Sequence, residues 1–236
     1  MERPGQIREA STPRVGASHR TRRSSQSAWL TAHGPLNYLP AMTWLTSEDR
    51  DGVRILTMDR PDRKNAIPPN GFADLDEQFD DFETSEQRVL VVTGANGEFS
   101  AGADLDPDVP LDAGVAERQR RMKLVAGAAL RLHRLTKPTI AAVDGVAVGA
   151  AMNLALGCDV VLASSRARFS EIFVRRGLTL DFGGSWLLPR VVGIQRAKEL
   201  ALSGRIVEAH EARDIGLCLE LTTPDGLLPR ALEIAG

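Results

Sequence analysis

Two runs of small residues carry the chemistry this chain can do. They are Gly97-Glu98-Phe99-Ser100-Ala101-Gly102-Ala103-Asp104-Leu105 and Asp144-Gly145-Val146-Ala147-Val148-Gly149-Ala150-Ala151-Met152-Asn153, and each follows a short apolar stretch. Small residues at such points let main chain approach another group closely. Two backbone N–H groups aimed at one carbonyl oxygen form an oxyanion hole, which stabilises an enolate without a reactive side chain. Plainer readings stand beside this one: a surface loop for the first run, a tight strand-to-helix turn for the second. In the functional reading, a helix beginning near Gly149 offers free N–H groups and its positive dipole end to a polarised oxygen. Neither run is a phosphate loop or a dinucleotide fingerprint, because GxxxxGK[ST] and GxGxxG are both absent.

The elements that must position these runs are legible in outline. Gly52 to Met58 alternates as a strand, with Val53, Ile55 and Thr57 on one face. Phe72, Leu75, Phe79 and Phe82 form the stripe of an acidic helix. Val89 to Val92 is a continuous apolar run, expected of a strand covered on both faces. A helix over Val115 to Leu135 leads into Pro138 and a strand over Thr139 to Val143. Further helices are expected over Gly149 to Leu156, over Ile194 to Leu202 (stopped by Gly204) and over Leu227 to Ala235, with a strand over Asp159 to Ala163. Alternating strands and helices make an α/β fold.

Composition bounds the rest. At 236 residues and 43% hydrophobic, the chain can bury a substantial core, and its formal charge of −2 argues against nucleic acid or an anionic membrane as partner. No apolar run is long enough for a membrane span. Cys158 and Cys218 are far apart, without a CxxC, and read as reduced core thiols of a cytoplasmic protein. His19, His33, His133 and His210 show no metal-ligand spacing, so no metal is expected. Residues 1–41 hold six arginines with scattered Ser, Pro and Gly and little apolar surface, which predicts a disordered extension, with a start at Met42 as one explanation and a transit peptide as the lesser one. The ordered part is then 42–236.

In this order, the two runs, the block Arg60-Pro61-Asp62-Arg63-Lys64-Asn65-Ala66 and the stretch Gly177 to Gly193 resemble the crotonase superfamily, the enoyl-CoA hydratase/isomerase family. The resemblance covers roughly Trp44 to Gly236. It implies a spiral of β-β-α units with peripheral helices, binding acyl-CoA thioesters, with coenzyme A entering as part of the substrate and no separate cofactor. It also implies that the N–H groups of Ala103 and Ala150 hold the thioester oxygen, that Ala101 to Leu105 (Asp104 included) meets the adenine, and that Ala66 lines the CoA path beside Gly149 and Phe173. Arg63 and Lys64 are placed to meet CoA phosphates, or are two charges on a solvated turn. Related proteins carry further helices beyond Gly236 that build homotrimers or dimers of trimers, so the C-terminal helical region is expected to be cut short here.

The carboxylate inventory separates the reactions. Family hydratases use two glutamates to activate water; the matching positions here are Asn153 and Phe173. Asparagine orients a water or substrate group but takes up no proton. Asp181 remains, either as N-cap of a helix starting near Gly183 or, by resemblance to family isomerases, dehalogenases and naphthoate synthases, as the proton-carrying group. Glu171 is a lesser catalytic candidate, against a solvated or ion-paired residue near Arg175 and Arg176. Three functions follow: double-bond isomerisation with Asp181 as shuttle and Phe173 drying the pocket, hydration with Asn153 and Asp181 sharing the water, or a role without catalysis as an acyl-CoA binder or oligomer subunit.

Overall fold

The computed structural model describes residues 44–105 and 114–236; the arginine-rich stretch 1–41 lies outside them. Nine strands among the described residues are β1 (Leu45–Arg50), β2 (Val53–Met58), β3 (Val89–Gly94), β4 (Thr139–Val143), β5 (Val146–Val148), β6 (Val160–Ser164), β7 (Arg168–Ser170), β8 (Val207–Glu208) and β9 (Glu220–Thr222). Seven helices accompany them: α1 (Gly71–Thr84), α2 (Val115–Arg134), α3 (Ala150–Gly157), α4 (Gly184–Val192), α5 (Ile194–Ser203), α6 (Ala209–Asp214) and α7 (Leu227–Ala235).

Two sheets are formed, one in the order β1-β2-β3-β4-β6-β9 and one in the order β5-β7-β8. Apart from the β1–β2 pair the large sheet is parallel, so its strands need crossovers, and the chain makes them as a repeated step. It leaves β3, β4 and β6 in turn, rounds a corner into the second layer at Ser100, β5 and β7, and then enters a helix. Ser100 pairs in parallel with Ala147, and β5 pairs in parallel with β7. The predicted spiral of β-β-α units is therefore present.

Burial explains which elements hold together. The Phe72, Leu75, Phe79 and Phe82 stripe of α1 is buried, and shares one core with Val125, Ala128 and Leu132 of α2. Each such Phe or Leu contributes roughly 1.5–3 kcal/mol when removed from water. On the opposite face of the large sheet, Leu227, Ala231 and Ala235 of α7 pack against Val53, Val91, Ile140 and Leu162. With cover on both faces, β2 is buried along nearly its whole length, and the one-face alternation expected for it gives way to the pattern of a central strand. Helix α3 is buried from Ala150 to Leu156, which explains why its sequence shows no polar face.

Candidate active site

The segment Arg60 to Ile67 runs beside the segment Phe99 to Asp104, and the fully buried Asn65 ties them. Its Nδ2 donates to the carbonyls of Ala95 (2.8 Å) and Glu98 (2.6 Å), and its Oδ1 accepts from the Arg60 N–H (2.8 Å). Beyond it, the Lys64 carbonyl accepts from Ala101, the Gly102 carbonyl from Ile67, and the Ile67 carbonyl from Asp104. The oxygen of residue 102 and the N–H of residue 104 thus face Ile67. The alternation of extended backbone turns the intervening Ala103 N–H to the other side.

The second run lies close to this segment. Gly102 has φ +86°, and a Cβ built on it would press inside van der Waals contact of the Val148 carbonyl oxygen, with the Ala150 nitrogen 3.6 Å away. Only glycine allows both the backbone angle and the approach. Gly149 precedes α3 as its N-cap, so Ala150 is the first helical residue, and its N–H has no acceptor inside the helix. Within the described residues neither the Ala103 nor the Ala150 N–H donates a hydrogen bond. Phe173 is buried, and its ring lies 3.7 Å from the point where a Gly149 Cβ would sit, so it walls the start of α3.

One turn into α3, the fully buried Asn153 meets two carboxyl-bearing residues. Its Nδ2 donates to the Asp181 carbonyl at 3.1 Å and reaches Glu171 Oε2 at 3.4 Å, long for such a bond. Gly184, the first residue of α4, lies against the same amide: a Cβ there would fall 2.6 Å from Asn153 Oδ1. Three buried oxygens, Asn153 Oδ1, Glu171 Oε1 and Asp181 Oδ1, have no hydrogen-bond partner among the described residues. Burial pushes the Asp181 carboxyl up to about 6. Glu171 is pushed up to about 8 by burial, against the pull of the Asn153 amide and with a further push from the Asp181 charge.

Two expectations are corrected. The Asp181 side chain does not cap α4, whose N-cap is Gly183 in a left-handed conformation; only the Asp181 carbonyl meets the helix, accepting from Gly184 N–H at 2.9 Å. Glu171 is neither solvated nor ion-paired: it is 1% exposed, whereas Arg175 and Arg176 are exposed. It lies just past the end of β7, between the buried Phe169 and Phe173.

The other site residues are arranged around the first segment. Arg63 pairs with Asp104 at 3.0 Å, and Arg60 pairs with the same carboxylate at 3.1 Å. Lys64 pairs with Glu98 at 3.0 Å. Ala66 is buried and its carbonyl accepts from Arg60, Ala101 is partly buried, and Leu105 is 55% exposed. No helix among the described residues is long and apolar enough to cross a membrane.

Known proteins resemble this chain in sequence and fold. A sequence profile of the enoyl-CoA hydratase/isomerase family matches residues 48–236. The 1,2-epoxyphenylacetyl-CoA isomerase of Escherichia coli K12 is 39% identical over 201 residues, covering 82% of this chain and 75% of the relative. A probable enoyl-CoA hydratase, echA12, of Mycobacterium leprae is 38% identical over 193 residues, covering 79% of this chain and 66% of the relative. The crystal structure of an enoyl-CoA hydratase/isomerase from Cupriavidus metallidurans CH34 superposes with a TM-score of 0.77 at 40% identity, covering 84% of this chain and 74% of that one. The chain therefore belongs to the enoyl-CoA hydratase/isomerase family of the crotonase superfamily.

Proposed function

We propose that the protein moves a double bond within an acyl-CoA thioester, with Asp181 as the proton shuttle. The partly buried Asp181 carboxyl carries this reading: Asn153 holds the residue through its carbonyl, one carboxyl oxygen has no partner among the described residues, and burial holds the group near 6, within reach of a base working at neutral pH. The Ala103 and Ala150 N–H groups hold the thioester oxygen. Asp181 removes a proton from the carbon next to the carbonyl, and the electron pair spreads into the neighbouring double bond and the carbonyl as a dienolate. The same proton then returns to the far carbon, which leaves the double bond conjugated. One carboxyl group is enough, because the proton it takes is the proton it gives back.

The enolate needs the two amides more than the base does. In other enzymes, removing one oxyanion donor costs about 2.7–4 kcal/mol, so a pair accounts for several powers of ten in rate. Helix α3 adds the positive end of its dipole at Ala150. Arg63 and Lys64 would leave their carboxylate partners to meet CoA phosphates. Assembly as a homotrimer or dimer of trimers, in the cytoplasm, belongs to the same reading.

A second reading, hydration, draws on Asn153 Oδ1 and Asp181 Oδ1, both without a partner among the described residues, as acceptors for one shared water. A panel of enoyl-CoA thioesters separates the two. Migration into conjugation raises the enoyl absorbance and leaves mass unchanged, whereas hydration lowers it and adds one water. Asp181→Asn should abolish isomerisation while the chain stays folded. Turnover at the wild-type rate in that variant removes Asp181 from the mechanism.

A further inference from the structure

Glu171 has no part in the proton shuttle, yet it is the most completely buried carboxyl side chain beside it. Its surroundings are specific. Helix α3 presents the uncharged Asn153, whose amide reaches Glu171 Oε2 at 3.4 Å while also holding the Asp181 carbonyl at 3.1 Å. Asp181 is the titratable group facing Glu171 among the described residues. Arg175 and Arg176 on the same turn are exposed, and Arg205, beyond the end of α5, is taken up by Glu199 and Glu211. The cage therefore holds two carboxyl groups, one amide and no cation from the described residues. Glu171 Oε1 and Asp181 Oδ1 both lack partners there.

We propose that Glu171 is a positioning residue of this site: protonated, it keeps the cage at one negative charge, on Asp181, and supports the Asn153 amide that holds the Asp181 loop. The inference rests on the reading of Asp181 as the shuttle. The Asp181 charge disfavours a second one on the buried Glu171, so Glu171 ionises only at higher pH. Once it does, a fixed anion stands beside the developing enolate and opposes it, and turnover falls. The rate profile should therefore be bell-shaped, with Asp181 ionisation setting the acid side near 6 and Glu171 ionisation the alkaline side near 8.

The test compares wild type, Glu171→Gln, Glu171→Ala and Asp181→Asn. Glutamine imitates the neutral acid, so Glu171→Gln should lose the alkaline fall in kcat/KM while keeping the acid side in place. Glu171→Ala should drop the rate about tenfold or more, and the glutamine variant should recover most of it. In wild-type protein labelled with carbon-13 at side-chain carboxyls, the Glu171 signal should titrate far above the ordinary glutamate range, and its midpoint should fall in Asp181→Asn. That titration needs neither a substrate nor a Glu171 variant that folds. A Glu171 signal titrating in the ordinary range, or unmoved by Asp181→Asn, overturns the inference. So does an alkaline limb that survives in Glu171→Gln while Asp181→Asn is dead, and this leaves the shuttle standing. Wild-type turnover in Asp181→Asn instead sinks the shuttle, and with it this role for Glu171.

Discussion

Gly102→Ala is the sharpest test of the two amides, because it touches neither carboxyl group. The added Cβ would collide with the Val148 carbonyl oxygen, and the residue would keep φ at +86°. Relief requires residues 102–103 and 148–150 to separate by on the order of 1 Å to restore ordinary contact. A shift of that size at a reacting centre costs on the order of 100-fold, and loss of a whole oxyanion donor about 100- to 1,000-fold. The loss should fall on kcat, with KM within about threefold, since the amides matter most where charge develops. The strained backbone should destabilise by roughly 1–3 kcal/mol, lowering the melting temperature by roughly 2–12 °C. Initial rates of conjugated-enoyl absorbance, measured well below both melting points, separate the two effects. Wild-type kcat in the folded variant, or a rate loss equal to the unfolded fraction, refutes the pairing of residues 103 and 150.

Further outcomes follow from the charges. Asp181 and Glu171 both have raised folded-state pKa values, to about 6 and about 8, so the folded chain holds their protons over a range where the unfolded chain has released them. Stability should then fall as pH rises from the ordinary carboxylate range toward 8, and Glu171→Gln should melt above wild type at pH 9 but not at pH 4, as calorimetry would read. Asn153→Asp puts a third carboxyl into the cage and removes its amide donor; it should melt below wild type at neutral pH, with the gap closing as the solution is acidified. Arg63→Ala should raise KM for a CoA thioester about three- to tenfold and leave a pantetheine thioester unaffected; equal effects on both would exclude a phosphate contact.

How far the fold could be read from the sequence depended on how each element is buried. Helices α1 and α7 announce themselves because one apolar stripe faces a core and the rest faces water. Strand β1 does not, since LTSEDR is an exposed edge with five exposed residues. Strands β5, β7, β8 and β9 have two or three residues each, too few for any period to show. They exist because neighbouring turns of the spiral line them up, a tertiary cause with no local signature. At the site, the glycine-bearing runs were legible because close backbone approach restricts residue type. Glu171 was not, because nearby arginines suggested a solvated pair and the junction of β7 with a 3-10 turn has no periodic signature. Asp181 pulled the other way: its position before a helix suggested a cap, yet Gly183 in a left-handed conformation ends the approach and frees the side chain.

That freedom bears on why the cage exists at all. An unsatisfied buried polar group costs about 1–3 kcal/mol, more when charged, and Asn153, Glu171 and Asp181 each carry one such oxygen with no partner among the described residues. Apolar residues of similar volume would remove that cost, as they do around α3, where Leu154, Ala155 and Met152 are buried without polar neighbours to satisfy. The hydrogen bonds that join α3 to the Asp181 loop and the loop to α4 use the Asp181 carbonyl, not its carboxyl. In the proposed reading, the free Asp181 oxygen has its use outside the protein's own hydrogen bonding, in a proton taken from a bound thioester and returned to it. The same reasoning sets the charge state. With no cation from the described residues, the site tolerates one anion far better than two, and the anion belongs on Asp181, the more acidic of the pair and, in this reading, the one that meets the substrate.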